Sequence, residues 1–327
     1  MKLATLRDGT KDGRLVVASP AGTRFADAPV GTLQHLLEDW DALAPAMTRV
    51  TEFPNALDPA QCMAPMPRAW QWLDGSAFAA HARLMEVAFG TDPIATDKPL
   101  MYQGLSDRFY GPFDDIPFRS EADGIDFEGE FAVIVDHVPM GTTASEAIRH
   151  IRLVVQVNDW SLRALAVPEM KTGFGWVQAK PACSMAQFAV TPDELGAGWH
   201  DGRVCLDLLV DWNDQHFGHA NGAQMAYGFH ELIAHAAATR DLVAGTIIGS
   251  GTVANDDHAV VGSSCISERR AIEIIASGQP QTTFMHFGDR VKMEARSADG
   301  TSPFGVLDHT VLSSVDGPCA SRGILDW

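Results

Sequence analysis

The period of apolar and polar positions changes several times along this chain, and each change predicts an element. Residues 1–30 alternate short extended runs, L-A-T-L and R-L-V-V-A-S, with the turn pairs Asp8-Gly9 and Asp12-Gly13, which predicts a small β-meander. From 32 to 46 the apolar positions fall at 33, 36, 37, 40 and 43, the stripe of one amphipathic helix. Pro54, Pro59, Pro65 and Pro67 then interrupt any regular period, so 54–68 reads as a linker. A second helix is compatible with 76–89, capped by Ser76 and presenting Phe78, Leu84, Met85 and Ala88 to a core.

The stretch 126–159 carries the strongest signal. It reads D-F-E-G-E-F-A-V-I-V-D, then a turn at 139–141, then the capping box T-A-S-E at 143–146, then I-R-L-V-V-Q-V-N-D. Residues 160–182 read mostly as loop, 203–218 as a hairpin turning at Asn213-Asp214, and 223–240 as the longest helical stretch. Two further strands follow, one in F-G-D-R-V-K-M-E-A and one in P-F-G-V-L-D-H-T-V. Many short strands, scattered helices and no regular β-α alternation predict a β-rich mixed α/β fold. The linker divides it into a small N-terminal α+β domain over 1–65 and a main domain over 66–327.

Chemistry enters with the acidic positions of the central stretch. Side chains alternate along a strand, so Glu128 and Glu130 share a face, roughly 7 Å apart, with Ala132 and Ile134 continuing it. If that face is buried, two carboxylates repel and lose hydration, and a bound cation is the usual remedy. The second run delivers Asp159 at its end, completing a set of hard oxygen ligands suited to Mg²⁺ or Mn²⁺, with Ca²⁺ also compatible. A solvated acidic strand is the alternative that spacing alone leaves open.

The run F-E-G-E-F-A-V-I, followed about thirty residues later by V-N-D-W-S-L-R, resembles the metal-binding core of the fumarylacetoacetate hydrolase family. The resemblance extends over roughly 66–310. It implies that Asp74 joins Glu128, Glu130 and Asp159 around the ion, and that His81, seven residues after Asp74 in D-G-S-A-F-A-A-H, is the catalytic base. It further implies that Glu268 in G-S-S-C-I-S-E partners the histidine, that Thr252 in G-S-G-T and Tyr102 contact substrate, and that Lys180 lies near the metal and the substrate oxygens. The family's β-roll around a central metal and its homodimer are expected on the same ground. One departure bears on substrate: Ala166 and Met170 stand where some members carry a glutamine and a tyrosine, which argues against a substrate shaped like fumarylacetoacetate itself.

Composition narrows the partners. A net charge of −18 argues against nucleic acid and against anionic membranes, both of which select a basic face. The chain lacks an apolar run near 18 residues and an N-terminal segment of signal-peptide character, so a soluble cytoplasmic protein is expected. Five cysteines stand singly at 62, 183, 205, 265 and 319 and read as reduced core thiols. Two decoys fail on geometry. In H-E-L-I-A-H the histidines His230 and His235 are five apart, so they cannot share a zinc as an i, i+4 pair does. The run G-S-G-T-V-A fits a dinucleotide fingerprint, but no helix is expected to start at its glycines.

Three function classes follow. The first is metal-dependent hydrolysis of a carbon–carbon bond in a 1,3-dicarbonyl acid, an acylpyruvate or a fumarylacetoacetate-like compound, in the catabolism of aromatic compounds. The second is a hydratase, decarboxylase or isomerase of a 2-oxo acid on the same metal site, because a fold does not fix a reaction. The third is a non-catalytic metal-binding protein, which would have no use for His81 and its candidate glutamate.

Overall fold

A computed structural model describes residues 1–90, 92 and 96–314. Strands β1 (Lys2–Leu6), β2 (Arg14–Ala18) and β3 (Arg24–Asp27) form the expected antiparallel meander. The single helix expected over 32–46 is instead two, α1 (Leu33–Glu38) and α2 (Trp40–Thr48), because Asp39 leaves the helical region at φ −137° and ψ 52°. The break re-aims the chain so that Ala44 and Met47 join Leu33, Leu36 and Leu37 in one buried cluster. The proline-rich stretch is not structureless, since β4 (Asn55–Ala56) pairs with β3.

Next come β5 (Trp72–Gly75) and α3 (Ala79–Phe89). Ser76 does not cap this helix. Its N–H bonds to the Leu100 carbonyl and that of Ala77 to the Ser250 carbonyl, so both residues are tied to neighbouring chain and the helix starts later, with Phe78 at the N-cap. The chain continues through β6 (Met101–Gly104), β7 (Ile116–Phe118), β8 (Ile125–Asp126) and β9 (Gly129–Val135). Helix α4 (Ala144–Ala147) has the predicted capping box: the Thr143 N–H donates to Glu146 Oε2 at 3.0 Å. Strands β10 (Ile151–Asn158) and β11 (Ser161–Leu162) lead into α5 (Arg163–Met170), which corrects the loop expected over 160–182. Pro168 inside the helix and the glycines after it conceal the helix in the sequence.

The remainder is β12 (Ser184–Met185), β13 (Ala189–Val190), β14 (Trp199–His200), β15 (Arg203–Val204), the hairpin β16 (Asp207–Trp212) and β17 (Gln215–Asn221), and α6 (Phe229–Ala236). Asn213 and Asp214 both have positive φ, as a two-residue turn matched to strand twist requires. Then come β18 (Ile247–Gly249), α7 (His258–Val261), α8 (Ile266–Ser277), β19 (Arg290–Arg296) and β20 (Val306–Ser313). The longest helix among the described residues is therefore α8, not the 223–240 stretch, where only eight residues are α-helical.

These elements make a mixed α/β, sheet-rich fold. One sheet runs β4-β3-β2-β1-β13-β10-β9-β18-β5-β6, with β12 also against β10, so the N-terminal strands continue the central sheet without a gap. A second runs β17-β16-β19-β20-β7. Strand β9 is buried on both faces: Phe131, Val133 and Val135 pack in a core with Leu208, Val210 and Met293 of the second sheet, while Ala132 and Ile134 pack with α1 and α2. Alternation thus places Glu130 on the side of Ala132, inside the molecule. Cys62, Cys183 and Cys265 are buried free thiols and Cys205 is half-buried; Cys319 lies outside the described residues.

Candidate active site

Three strands of the central sheet carry the acidic residues to one place. β18 lies parallel to β5 with Gly249 opposite Asp74, and antiparallel to β9 with Gly249 opposite Ala132. The glycines of G-S-G-T serve this approach. A Cβ on Gly249 would stand 2.2 Å from Asp74 Oδ1, and one on Gly251, at φ +75°, would stand 2.3 Å from the Gly75 carbonyl. No helix begins there, in keeping with rejection of the dinucleotide reading. The Gly251 N–H donates to Asp74 Oδ1 at 3.0 Å and fixes that carboxylate.

One carboxylate oxygen from each of Asp74, Glu130 and Asp159 lies within 4.8 Å of the others, all three residues being buried. Asp159 is held on both oxygens: Cys183 Sγ donates to Oδ1 at 3.0 Å, and Tyr102 OH and Lys180 Nζ donate to Oδ2, each at 2.6 Å. Neither oxygen of Glu130 has a hydrogen-bond partner among the described residues. Burial, reinforced by Asp159 beside Asp74 and by Asp74 and Asp159 beside Glu130, pushes both carboxyls well above their ordinary range. A buried carboxylate without a donor is costly. An all-oxygen cluster of this charge fits a hard divalent cation.

Glu128 takes a different position from its strand neighbour. Arg163 donates to its Oε1 at 2.7 Å and Lys180 to its Oε2 at 2.5 Å, and although burial opposes ionisation these two cations hold the carboxyl well below its ordinary range. Lys180 in turn is desolvated, which favours its neutral form, but Asp159 and Glu128 outweigh this and raise its pKa, so it stays an ammonium at neutral pH. The rings of Tyr102 and Trp176 lie 5.4 and 5.8 Å from its Nζ.

His81 and Glu268 meet across the cluster from α3 and α8. His81 Nδ1 lies 2.7 Å from Glu268 Oε1, while the Ser264 N–H donates to Glu268 Oε2 at 3.2 Å. A carboxylate can only accept, so this contact places the imidazole proton on Nδ1 and leaves Nε2 as the basic nitrogen. A cavity of about 290 Å³ is lined by His81, Asp74, Glu130, Lys180, Tyr102 and Thr252, so every site residue inferred from sequence except Asp159 and Glu268 faces it, Glu128 included. Thr252 Oγ1 is buried and has no hydrogen-bond partner among the described residues.

Residues 71–312 match the fumarylacetoacetate (FAA) hydrolase C-terminal family, and residues 1–68 match the fumarylacetoacetase N-terminal domain 2 family. The chain belongs to the fumarylacetoacetate hydrolase family. A mitochondrial oxaloacetate tautomerase of Bos taurus is 26% identical over 181 residues, 54% of this chain and 54% of that protein, so the chain spans about half the length of the curated relatives it matches. The structure of a maleylpyruvate hydrolase from Sphingobium sp. SYK-6 in complex with manganese (II) ion and pyruvate superposes with a TM-score of 0.63 at 17% identity, covering 96% of this chain and 99% of that one. A 5-carboxymethyl-2-hydroxymuconate delta-isomerase from Mycobacterium smegmatis gives 0.60 at 17% identity, with the same coverage. At these identities the likeness establishes the fold. Among the described residues no helix is long and apolar enough to cross a membrane.

Within this family frame, four residues of the site carry roles that sequence reasoning did not assign. Arg163 stood in the quoted run N-D-W-S-L-R and bridges Asp126 and Glu128, at 2.8 and 2.7 Å. Asp126 also accepts from the N–H groups of Ile266 and Ser267 at 2.7 and 3.0 Å, seating an anion on the N-terminus of α8 and so fixing the helix that carries Glu268. Cys183 bonds to Asp159, and Trp176 packs edge-on against Tyr102 at 4.9 Å between ring centres. The aspartate was findable as a charge opening an otherwise apolar strand pattern, and the arginine as the charge that ends the quoted run N-D-W-S-L-R. The cysteine and tryptophan offered no signal.

Proposed function

We propose that this chain is a divalent-metal-dependent hydrolase that cleaves a carbon–carbon bond in a 1,3-dicarbonyl acid of the acylpyruvate type, within the catabolism of aromatic compounds. The observation that carries the reading is the His81–Glu268 pair, 2.7 Å apart, opening on the same cavity as the acidic cluster. Asp74, Glu130 and Asp159 would hold the cation, with Glu128 completing the set through lone pairs that its two hydrogen bonds leave available. Bound there, Mg²⁺ or Mn²⁺ would supply Lewis acidity to the two oxygens of the oxo-acid head. Thr252 Oγ1, buried without a partner among the described residues, would donate to the substrate carboxylate, and the Lys180 ammonium would hold negative charge that develops on the enolate.

The residues divide the work in a balanced reaction. His81 Nε2 takes a proton from water, the hydroxide adds to the carbonyl remote from the carboxylate, and the bond between that carbon and the methylene breaks. The methylene carbon takes the proton back, so one water and one acylpyruvate give one carboxylic acid and one pyruvate. A second reading, proton transfer without cleavage as in an isomerase or tautomerase, draws on the relatives of those names and needs the same residues except water activation. The two separate in one assay. Acylpyruvates with Mn²⁺ should lose enol absorbance with one pyruvate formed per molecule consumed; loss on a 2-oxo-4-enoate with the carbon chain intact would assign the second reading. No turnover across both panels would leave a metal-binding protein without catalysis.

A further inference from the structure

Two helices set the long axis of the cavity. On α3, His81, Met85 and Phe89 are spaced four apart and therefore share one face, and all three line the cavity. Phe89 lies eight residues past His81, about 12 Å along the helix axis. On α5, Arg163 begins the helix at the carboxylates and Met170 ends it seven residues on, about 10 Å away, and both again line the cavity. Both helices run from the charged end outward. Met85 and Phe89 on α3, Met170 on α5, and Met101 and Trp176 give the cavity a wall of thioethers and aromatic rings, with Trp176 at its inner part beside Tyr102 and Lys180.

The charges on that wall have one sign. Among the described residues, Glu86 and Asp92 are its ionisable residues beyond the dyad and the acidic cluster. The cations that line the cavity, Arg163 and Lys180, are each bonded to two carboxylates at the inner end. Lys171, next to Met170, is exposed and does not line it. The C-terminal ends of α3 and α5 add the negative ends of two helix dipoles. A second carboxylate on a substrate would meet like charge there, with no unpaired cation on the wall among the described residues to receive it.

We infer that the substrate ends, beyond its oxo-acid head, in an uncharged apolar acyl group, aliphatic or aromatic, seated on Phe89, Met170 and Trp176, and not in a second carboxylate. This deepens the acylpyruvate reading and rests on it for the identity of the head. An aromatic tail gains edge or face contact with Trp176 and sulfur contact with Met170. Each further methylene seated on the wall tightens binding about fourfold.

The test is equilibrium binding to the Mn²⁺-loaded full chain, measured by calorimetry, of 4-phenyl-2-oxobutanoate and 2-oxoadipate, which share the 2-oxo-acid head and differ at the far end. The phenyl compound is expected to bind at least about tenfold tighter. Met170→Arg, at a site 38% exposed where the longer side chain can reach solvent, should shift the ratio at least about tenfold toward the dicarboxylate. Trp176→Ala should weaken the phenyl compound more than the dicarboxylate, lowering the ratio, and stands in if Met170→Arg does not fold. Equal or tighter binding of the dicarboxylate to the unmodified protein overturns the inference, as does a Met170→Arg ratio that stays unchanged. The parent reading fails separately: if the phenyl compound is preferred while no acylpyruvate of any tail is cleaved, the head chemistry is wrong and the tail subsite stands.

Discussion

Replacing Glu130 with glutamine should lower Mn²⁺ affinity by about 10²-fold or more, while the metal-free protein at pH 8 becomes no less stable than the unmodified one. Both effects come from the same carboxyl. Glu130 is fully buried, neither oxygen has a donor among the described residues, and Asp74 and Asp159 lie beside it. Burial first, then those two charges, raise its native pKa well above the ordinary value. A raised native pKa means the folded state holds a proton that the unfolded chain has given up. The carboxyl's contribution to stability is therefore complete below the ordinary carboxylate pKa, about 4.3, and is lost as pH rises through the native value.

Asp74 behaves the same way, for burial and for Asp159. The metal-free protein should thus lose thermal stability as pH rises above the ordinary carboxylate range, and saturating Mn²⁺ should remove most of that loss, since the cation favours the ionised forms. Glu130→Gln cannot ionise at this position and should show a flatter pH profile without metal. Thermal midpoints with and without Mn²⁺, together with calorimetric affinities, read both halves. An unchanged affinity in Glu130→Gln would remove this carboxylate from the metal site.

His81→Ala should slow cleavage of acylpyruvates by about 10²-fold or more with Mn²⁺ affinity unchanged, because the proposed reaction assigns the histidine to the water and the carboxylate cluster to the ion. In the same proposal Glu268 acts through it. Its Oε1 holds Nδ1 and its Oε2 is fixed by the Ser264 N–H, so Glu268→Gln should lower kcat while the substrate constant moves little. The double variant His81→Ala, Glu268→Gln should be no slower than His81→Ala alone, since a positioning group has nothing left to position. Steady-state kinetics on the four proteins measure this; additive losses would mean that Glu268 has a separate role.

The sequence disclosed the acidic strand because its signal is local. A period of two places Glu130 with Ala132 and Ile134, and the apolar run around it puts that face indoors, where both are in fact fully buried. Asp159 was legible as the polar residue ending a buried strand. The dyad was not derivable by any spacing, since His81 and Glu268 are 187 positions apart and only the family resemblance linked them. Helix α8 escaped for a related reason: the anion that seats its first turn is Asp126, 140 positions upstream, so its start has a weak local signature. Helix α5 escaped because Pro168 and the glycines beyond it read as loop, and with it went the wall that Ala166 and Met170 contribute. Glu128 illustrates the converse limit. Alternation put it on the right side of the strand, yet its two hydrogen bonds to Arg163 and Lys180 depend on α5 and on the segment after it, which periodicity did not reveal.

Cleavage in ¹⁸O-labelled water tests the central claim most directly. If His81 activates water against the carbonyl remote from the carboxylate, each benzoylpyruvate consumed in the presence of Mn²⁺ should yield one pyruvate and one benzoate, the benzoate carrying one ¹⁸O atom in its carboxylate by mass spectrometry. Loss of the enol signal with the carbon chain intact and no labelled benzoate would contradict it.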